Sequence, residues 1–235
     1  MAKLDITKIP QVMRSNQWMI GAQLLEKWFN DPANADPFTG IHDTTTVTMD
    51  KWLLTFPRVQ QIYEEMLSQR IWMTDKAKAV IVAMLTQQGK LGLREETFGD
   101  FTKPLPLLDK GYIQYQKVGD TLWDPVDDLF AALGRFTLRM VIKGIVKPFR
   151  SRHIITIQEL GIYARDSYDF NGCQHLGYWN VEQNYGGKNL FRGYPVMNFD
   201  FREWRANCGQ GGDYLVFSDL KIIPLNKSET SEFIV

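Results

Sequence analysis

The stretch Asp166-Ser167-Tyr168-Asp169 carries the residue types best suited to chemistry in this sequence, with Asn171, Gly172, Gln174 and His175 close behind it. Two carboxyl groups, a phenol and an imidazole make a kit for phosphoester cleavage. One carboxylate can hold a divalent cation, which prefers hard oxygen ligands. Such a cation neutralises phosphate charge and activates water, while an imidazole serves as acid or base near neutral pH. The plainer reading of the same residues is structural: Asp and Asn cap turns at strand ends, and Tyr is common in strands. Geometry adds a condition. In an extended segment Asp166 and Tyr168 point to one side and Asp169 to the other, so the chain must turn beyond Tyr168 before all three converge. Asn171-Gly172 is the expected turn.

The elements that must position these residues follow from hydropathy. From Arg135 the period is two, with Phe136, Leu138, Met140 and Ile142 alternating with Thr137, Arg139, Val141 and Lys143, which predicts a half-buried strand. Lys147-Pro148-Phe149-Arg150-Ser151 reads as a turn, and His153 to Ala164 as the returning strand of a hairpin. Within that strand the apolar set moves from Ile155 and Ile157 to Leu160, Ile162 and Ala164, a slip that a β-bulge near Glu159 and Gly161 would supply. Tyr214 to Ser218 reads as a further strand, continued over Leu220 to Pro224.

The first half reads differently. Residues 1–110 hold five of the 18 glycines and residues 111–235 hold thirteen. Trp18, Ala22, Leu25 and Phe29 recur at helical spacing, as do Trp52, Phe56, Val59, Tyr63 and Met66, with Pro57 starting or kinking the second helix. A third helix runs from a Thr74 or Asp75 cap to a terminating Gly89. Pro104 and Pro106 then mark a boundary. The expected fold class is therefore α+β: a helical unit over 1–110, then an antiparallel, barrel-like β domain over 111–235 that carries the activity.

Composition narrows the partners. Lys plus Arg and Asp plus Glu are 27 each, so no net field draws the chain to nucleic acid. Cys173 and Cys208 are too few for a disulfide framework or a four-thiolate metal site, and His42, His153 and His175 lack zinc-ligand spacing. No run reaches the roughly 18 apolar residues of a membrane span, and Met1-Ala2-Lys3-Leu4-Asp5 does not open a signal peptide. A chain made in the cytoplasm and exported without a cleavable signal is expected. Cys208-Gly209-Gln210-Gly211-Gly212-Asp213 reads as a plain turn ahead of a strand; its amides can also form an anion-binding nest, although no Lys-Ser or Lys-Thr follows as in a P-loop. A Cys173 nucleophile beside His175 is disfavoured, because near neighbours in a chain rarely reach the geometry of nucleophile and base.

At Asp166, Tyr168, Asp169 and His175 the sequence resembles the activity domain of the colicin M family, whose signature is Asp-x-Tyr-Asp followed after five residues by His-Arg. The hairpin leading into Tyr-Asp-Phe-Asn is similar to that family's β-barrel. The resemblance covers about residues 130–180 and implies a catalytic set of Asp166, Tyr168, Asp169 and His175, with Mg2+ as the cofactor, held by Asp166. It implies a substrate too: lipid-linked peptidoglycan precursor (lipid II), cut between the undecaprenyl chain and the pyrophosphate, in the periplasm of target bacteria. Leu176 stands where the family has its second basic residue, leaving Arg192, Arg202 or Arg205 to replace that arginine at the phosphate, with Asn171 beside them. The whole chain also resembles an uncharacterised bacterial family associated with type VI secretion, which implies a secretion spike component and a cognate immunity protein as partners. Two other readings stay open: a non-enzymatic adaptor or immunity-type module in which these residues only shape a loop, and a glycan hydrolase using Asp166 and Asp169 as acid and base.

Overall fold

The computed structural model describes residues 4–119, 123–226 and 231–235. In chain order the helices are α1 (Ile9–Ser15), α2 (Met19–Asn30), α3 (Pro57–Ser68), α4 (Asp75–Gln87), α5 (Leu105–Leu108), α6 (Asp128–Ala132) and α7 (Asn198–Cys208). The strands are β1 (Glu96–Phe98), β2 (Gln114–Val118), β3 (Phe136–Phe149), β4 (Arg152–Tyr168), β5 (His175–Asn180), β6 (Tyr185–Gly187), β7 (Tyr194–Met197), β8 (Tyr214–Phe217), β9 (Lys221–Pro224) and β10 (Ser231–Ile234). The fold is α+β, its assigned strand pairs are antiparallel, and the described strands form no closed barrel.

Two compact units are assembled from interleaved pieces of chain and do not fall on either side of residue 110. The first comprises Met1–Val47, Gly119–Phe136 and Arg165–Phe217, and the second Thr48–Val118, Thr137–Ala164 and Ser218–Val235. The cause is strand pairing at long range. The last four residues of β4 pair with β8 in register Arg165↔Phe217 to Tyr168↔Tyr214, within the first unit. Earlier residues of β4 pair with β9 and β10, within the second.

In the second unit Leu138, Met140 and Ile142 of β3 and Ile155, Ile157, Leu160 and Ile162 of β4 are buried, as the period-two pattern predicts. Toward β9 the register runs uninterrupted from Glu159↔Pro224 to Ile162↔Lys221. Toward β3 the contacts step by one residue: Gly144 packs on Ile157, whereas Lys143 pairs with Glu159 and Gly161 faces Val141, the slip that a bulge in β4 gives. Residues 160–164 are all buried, so both faces are covered. Gly161 is required by that crowding: a Cβ there would stand 2.8 Å from Leu220 Cδ1 and 2.9 Å from Val141 Cγ2. Of the expected helices, α3 begins at Pro57, and α4 begins after Thr74, whose hydroxyl accepts the Ala77 N–H at 3.2 Å.

The first unit holds α1, α2, α6, α7, the three-stranded sheet β6-β5-β7, and the β4–β8 ladder. Ala22, Leu24, Leu25, Trp28 and Phe29 of α2 are buried. The Asp128 carboxylate of α6 accepts N–H bonds from Ile20 (3.2 Å) and Gly21 (2.9 Å), satisfying two orphan donors in the first turn of α2 where an anion is also favoured by the helix dipole. Gly21 allows this approach, since a Cβ there would lie 3.1 Å from that of Ala131.

Candidate functional site

Strand alternation puts Asp166 and Tyr168 on one face of β4, opposite Val216 and Tyr214 of β8. Tyr168 is buried, its ring stacked on Tyr214 at 5.2 Å and 19° and set edge-on to Phe170 at 5.8 Å. Asp166 is half-buried, and protein atoms crowd its carboxyl. Burial therefore pushes the Asp166 carboxyl well above the usual carboxylate range. The Ser167 backbone N–H and Arg165 oppose that shift, and the charge of Asp169 adds to it. Burial also raises the Tyr168 phenol, with Asp166 reinforcing it, so the hydroxyl stays neutral. A carboxyl whose neutral form is favoured by burial, two residues from a neutral phenol, is suited to donate a proton.

Beyond Tyr168 the chain turns. Asp169 Oδ1 accepts the Asn171 N–H at 3.1 Å, an Asx-type turn, and Gly172 takes a left-handed conformation at φ 74°. Helix α7 holds the turn from outside. Arg202 Nη1 donates to Phe170 O at 2.7 Å and Gly172 O at 2.6 Å, Asn198 Nδ2 donates to Asn171 O, and the Asn198 N–H donates to Gln174 O at 3.0 Å. Phe170 is anchored beneath, stacked on Phe201 at 3.9 Å and 3° and edge-on to Trp28 at 4.8 Å.

Two cavities meet at this turn. The first, of about 560 Å3, is lined by Asp166, Ser167, Tyr168 and Asp169 and by Arg135 from the residues joining α6 to β3. The second, of about 450 Å3, is largely apolar, with Met13, Trp18, Leu25, Val126, Trp179 and Val196 in its wall. They share Phe130, Ala131, Gly134, Tyr168, Phe170, Gln174 and Leu176. A cavity lined by Asp166, Asp169 and the exposed Arg135 thus abuts an apolar one, an arrangement that suits a molecule with a charged end and a greasy end.

The expected catalytic residues divide between the cavities. Asp166, Tyr168 and Asp169 line the polar one, and His175, the first residue of β5, is exposed and lines the apolar one, its ring 4.7 Å from that of Tyr178. Asn171 lines neither; its carbonyl and N–H shape the turn. None of the three arginines expected at the phosphate lines either cavity. Arg202 clamps the turn. Arg205 is buried, donates to Asn34 O and pairs with Asp213 at 3.1 Å, and Arg192 lies 4.4 Å over the Tyr185 ring.

The cation at the polar cavity is Arg135, which hydropathy reading treats only as the start of a strand. Gly134 brings it there. With φ at 56°, Gly134 ends α6 in the left-handed conformation, its N–H donating to Phe130 O at 3.1 Å. The signal in the sequence is Ala-Ala-Leu-Gly-Arg, a helix end with a glycine stop and an arginine just beyond it.

The glycine loop after α7 forms no anion nest. Gly211 N–H donates to Asp31 O at 2.9 Å and Gly212 N–H to Trp28 O at 3.0 Å, so these amides satisfy carbonyls at the end of α2. Of the two carboxyl groups on the polar cavity, Asp169 is the better suited to a magnesium ion, because burial favours the neutral form of Asp166. No group of three or more His, Cys, Asp or Glu side chains stands together among the described residues. That donor set suits an ion completed by substrate phosphate oxygens and water, the usual habit of magnesium.

No curated protein and no solved structure matches the chain. A family model does match, over residues 4–186 and 184–233. With nearly the whole chain covered, the protein belongs to the family of unknown function DUF6402.

Proposed function

We propose that this protein is an antibacterial hydrolase that cleaves a phosphoester in a lipid-linked substrate. The substrate proposed is the peptidoglycan precursor lipid II, cut between undecaprenyl and pyrophosphate. The observation that carries the reading is the shared wall of the two cavities: Asp166, Asp169 and Arg135 line one side, and aromatic and aliphatic residues line the other. In this reading the protonated Asp166 gives its proton to the departing oxygen, Asp169 accepts the proton of the attacking water, and Arg135 faces the phosphate charge. Tyr168, neutral and fixed by stacking on Tyr214, orients the reacting group by hydrogen bonding. His175 stands at the apolar side, where it meets the lipid-bearing portion of the substrate. Magnesium, held by Asp169 with substrate phosphate oxygens, would supply charge neutralisation, leaving Asp166 as the proton donor.

The resemblance to colicin M at Asp166, Tyr168, Asp169 and His175 supports the same substrate and the same place of action, the periplasm of a target cell reached through a secretion machine. A cognate immunity protein and a secretion spike component are the proposed partners. Expression with an added periplasmic signal tests the reading. Wild type is expected to lyse cells with accumulation of undecaprenol, and a folded Asp166→Asn protein to be harmless; equal toxicity of the two would contradict it.

One observation favours a second reading. The turn is knitted into the framework by Arg202 and Asn198, and His175 and all three arginines expected at the phosphate, Arg192, Arg202 and Arg205, lie outside the polar cavity. This suits a non-enzymatic adaptor or immunity-type module, for which periplasmic expression is harmless and a stable complex with one secreted protein is recovered.

A further inference from the structure

We propose that the loop joining β6 to β7 is an interfacial anchor that seats the first unit on an anionic phospholipid surface. The loop reads Lys188-Asn189-Leu190-Phe191-Arg192-Gly193. Phe191 is 89% exposed and Leu190 is 56% exposed. An adjacent apolar pair that open to water is unfavourable unless something covers it.

The loop is built to hold that pair outward. Asn189 is its organiser: its N–H donates to Tyr185 Oη at 2.9 Å, its Oδ1 accepts the Phe191 N–H at 2.9 Å, and its carbonyl accepts the Arg192 N–H at 3.2 Å. These backbone groups are satisfied locally, as entry into a headgroup layer requires. At the exit, Gly193 packs on the backbone of Trp179, where a Cβ would stand 2.6 Å from the Trp179 nitrogen. A closed turn pinned at both ends cannot fold its apolar tip back onto the protein without breaking these contacts.

Charge selects the occupant. The chain as a whole is neutral, but the loop carries Lys188 and Arg192 and no acidic residue. Both cations are exposed, although Lys188 Nζ also donates to Asp124 O at 2.7 Å and Arg192 lies 4.4 Å over the Tyr185 ring. Exposed cations flanking an aromatic and aliphatic tip are the composition of a segment that lies in the headgroup region, with the apolar tip in the acyl boundary and the charges near the phosphates. The anchor also adjoins the apolar cavity, since Gly187 and Lys188 line it. A protein seated by this loop therefore presents that cavity to the bilayer, from which an amphiphile can enter. That consequence rests on the hydrolase reading, whereas the docking stands without it.

Co-sedimentation of the full chain with vesicles tests the anchor. The vesicles are phosphatidylcholine mixed with phosphatidylglycerol, or phosphatidylcholine alone. Wild type is expected to sediment with the mixed vesicles and to be released by salt. Leu190→Ser with Phe191→Ser should weaken binding about a hundredfold, since two apolar side chains no longer leave water. Lys188→Gln with Arg192→Gln should remove the preference for phosphatidylglycerol. If the double serine variant melts below wild type, Phe191→Asp alone gives the same reading. Asp166→Asn should bind as wild type, which separates failure of the anchor from failure of the catalytic reading. Wild type left in the supernatant with both vesicles, or a folded double serine variant that sediments as wild type does, would overturn the inference.

Discussion

Asp166 and Tyr168 stand two residues apart on one face of β4 and line the same cavity, and the charge of Asp166 adds to burial in raising the Tyr168 phenol. Burial in turn raises Asp166 itself. The pair is costly to keep ionised and well suited to hold protons, a combination often found where a protein gives up stability for chemistry.

A pH-dependent stability follows. The Asp166 carboxyl has a higher pKa folded than unfolded, so its effect on stability is neutral below the ordinary carboxylate pKa and grows unfavourable as pH rises toward the folded value. Asp166→Asn should therefore raise the melting temperature at neutral pH and lose that advantage in acid. Thermal melts of the two proteins across pH check this; a lower melting temperature for the variant at neutral pH would contradict it.

Arg202 positions the turn from outside the cavity. Arg202→Leu removes two hydrogen bonds from a charged donor, to Phe170 O and Gly172 O, and should cost about 2 kcal/mol. Under the hydrolase reading it should lower kcat more than it raises KM. Denaturant unfolding and steady-state kinetics read the two effects separately.

Phe170 ties that turn to the aromatic core. Phe170→Ala leaves a gap between Phe201 and Trp28 and should cost about 3 to 5 kcal/mol in unfolding free energy, whereas Phe170→Leu should cost about half as much. Similar losses for both would show that the stacked geometry, more than volume, holds the turn.

Arg135 and Arg192 give a contrast within one experiment. Arg135 lines the polar cavity and Arg192 does not, so Arg135→Gln should weaken binding of inorganic pyrophosphate about tenfold, the loss of one charged hydrogen bond, while Arg192→Gln leaves it unchanged. Isothermal titration with pyrophosphate measures both.

How far the sequence was legible varied with the range of the interactions. Local signals served well. Pro57 starts α3, Thr74 caps α4, and Gly89 takes φ 66° just beyond it. The alternation from Phe136 is a strand, although β3 runs on through Pro148 to Phe149 and the turn falls at Arg150, which adopts φ 57°. The turn after Tyr168 was readable from Asn171-Gly172. Helix α7 was not, because Asn-Phe-Asp-Phe-Arg-Glu-Trp-Arg carries its aromatic residues toward Phe170 and Trp28, contacts that no local pattern announces. The interleaved units were hidden for the same reason: pairing of Arg165–Tyr168 with Tyr214–Phe217 joins residues about fifty positions apart. In the site, Asp166, Tyr168 and Asp169 were visible as residue types, while the role of Arg135 depends on how Gly134 turns the chain.

The central claim is tested most directly by incubating the purified protein with lipid II and magnesium and analysing the products. Wild type is expected to release undecaprenol, and Asp166→Asn, folded and at least as stable at neutral pH, to release none. No undecaprenol from wild type, or equal release by the folded variant, would contradict the account.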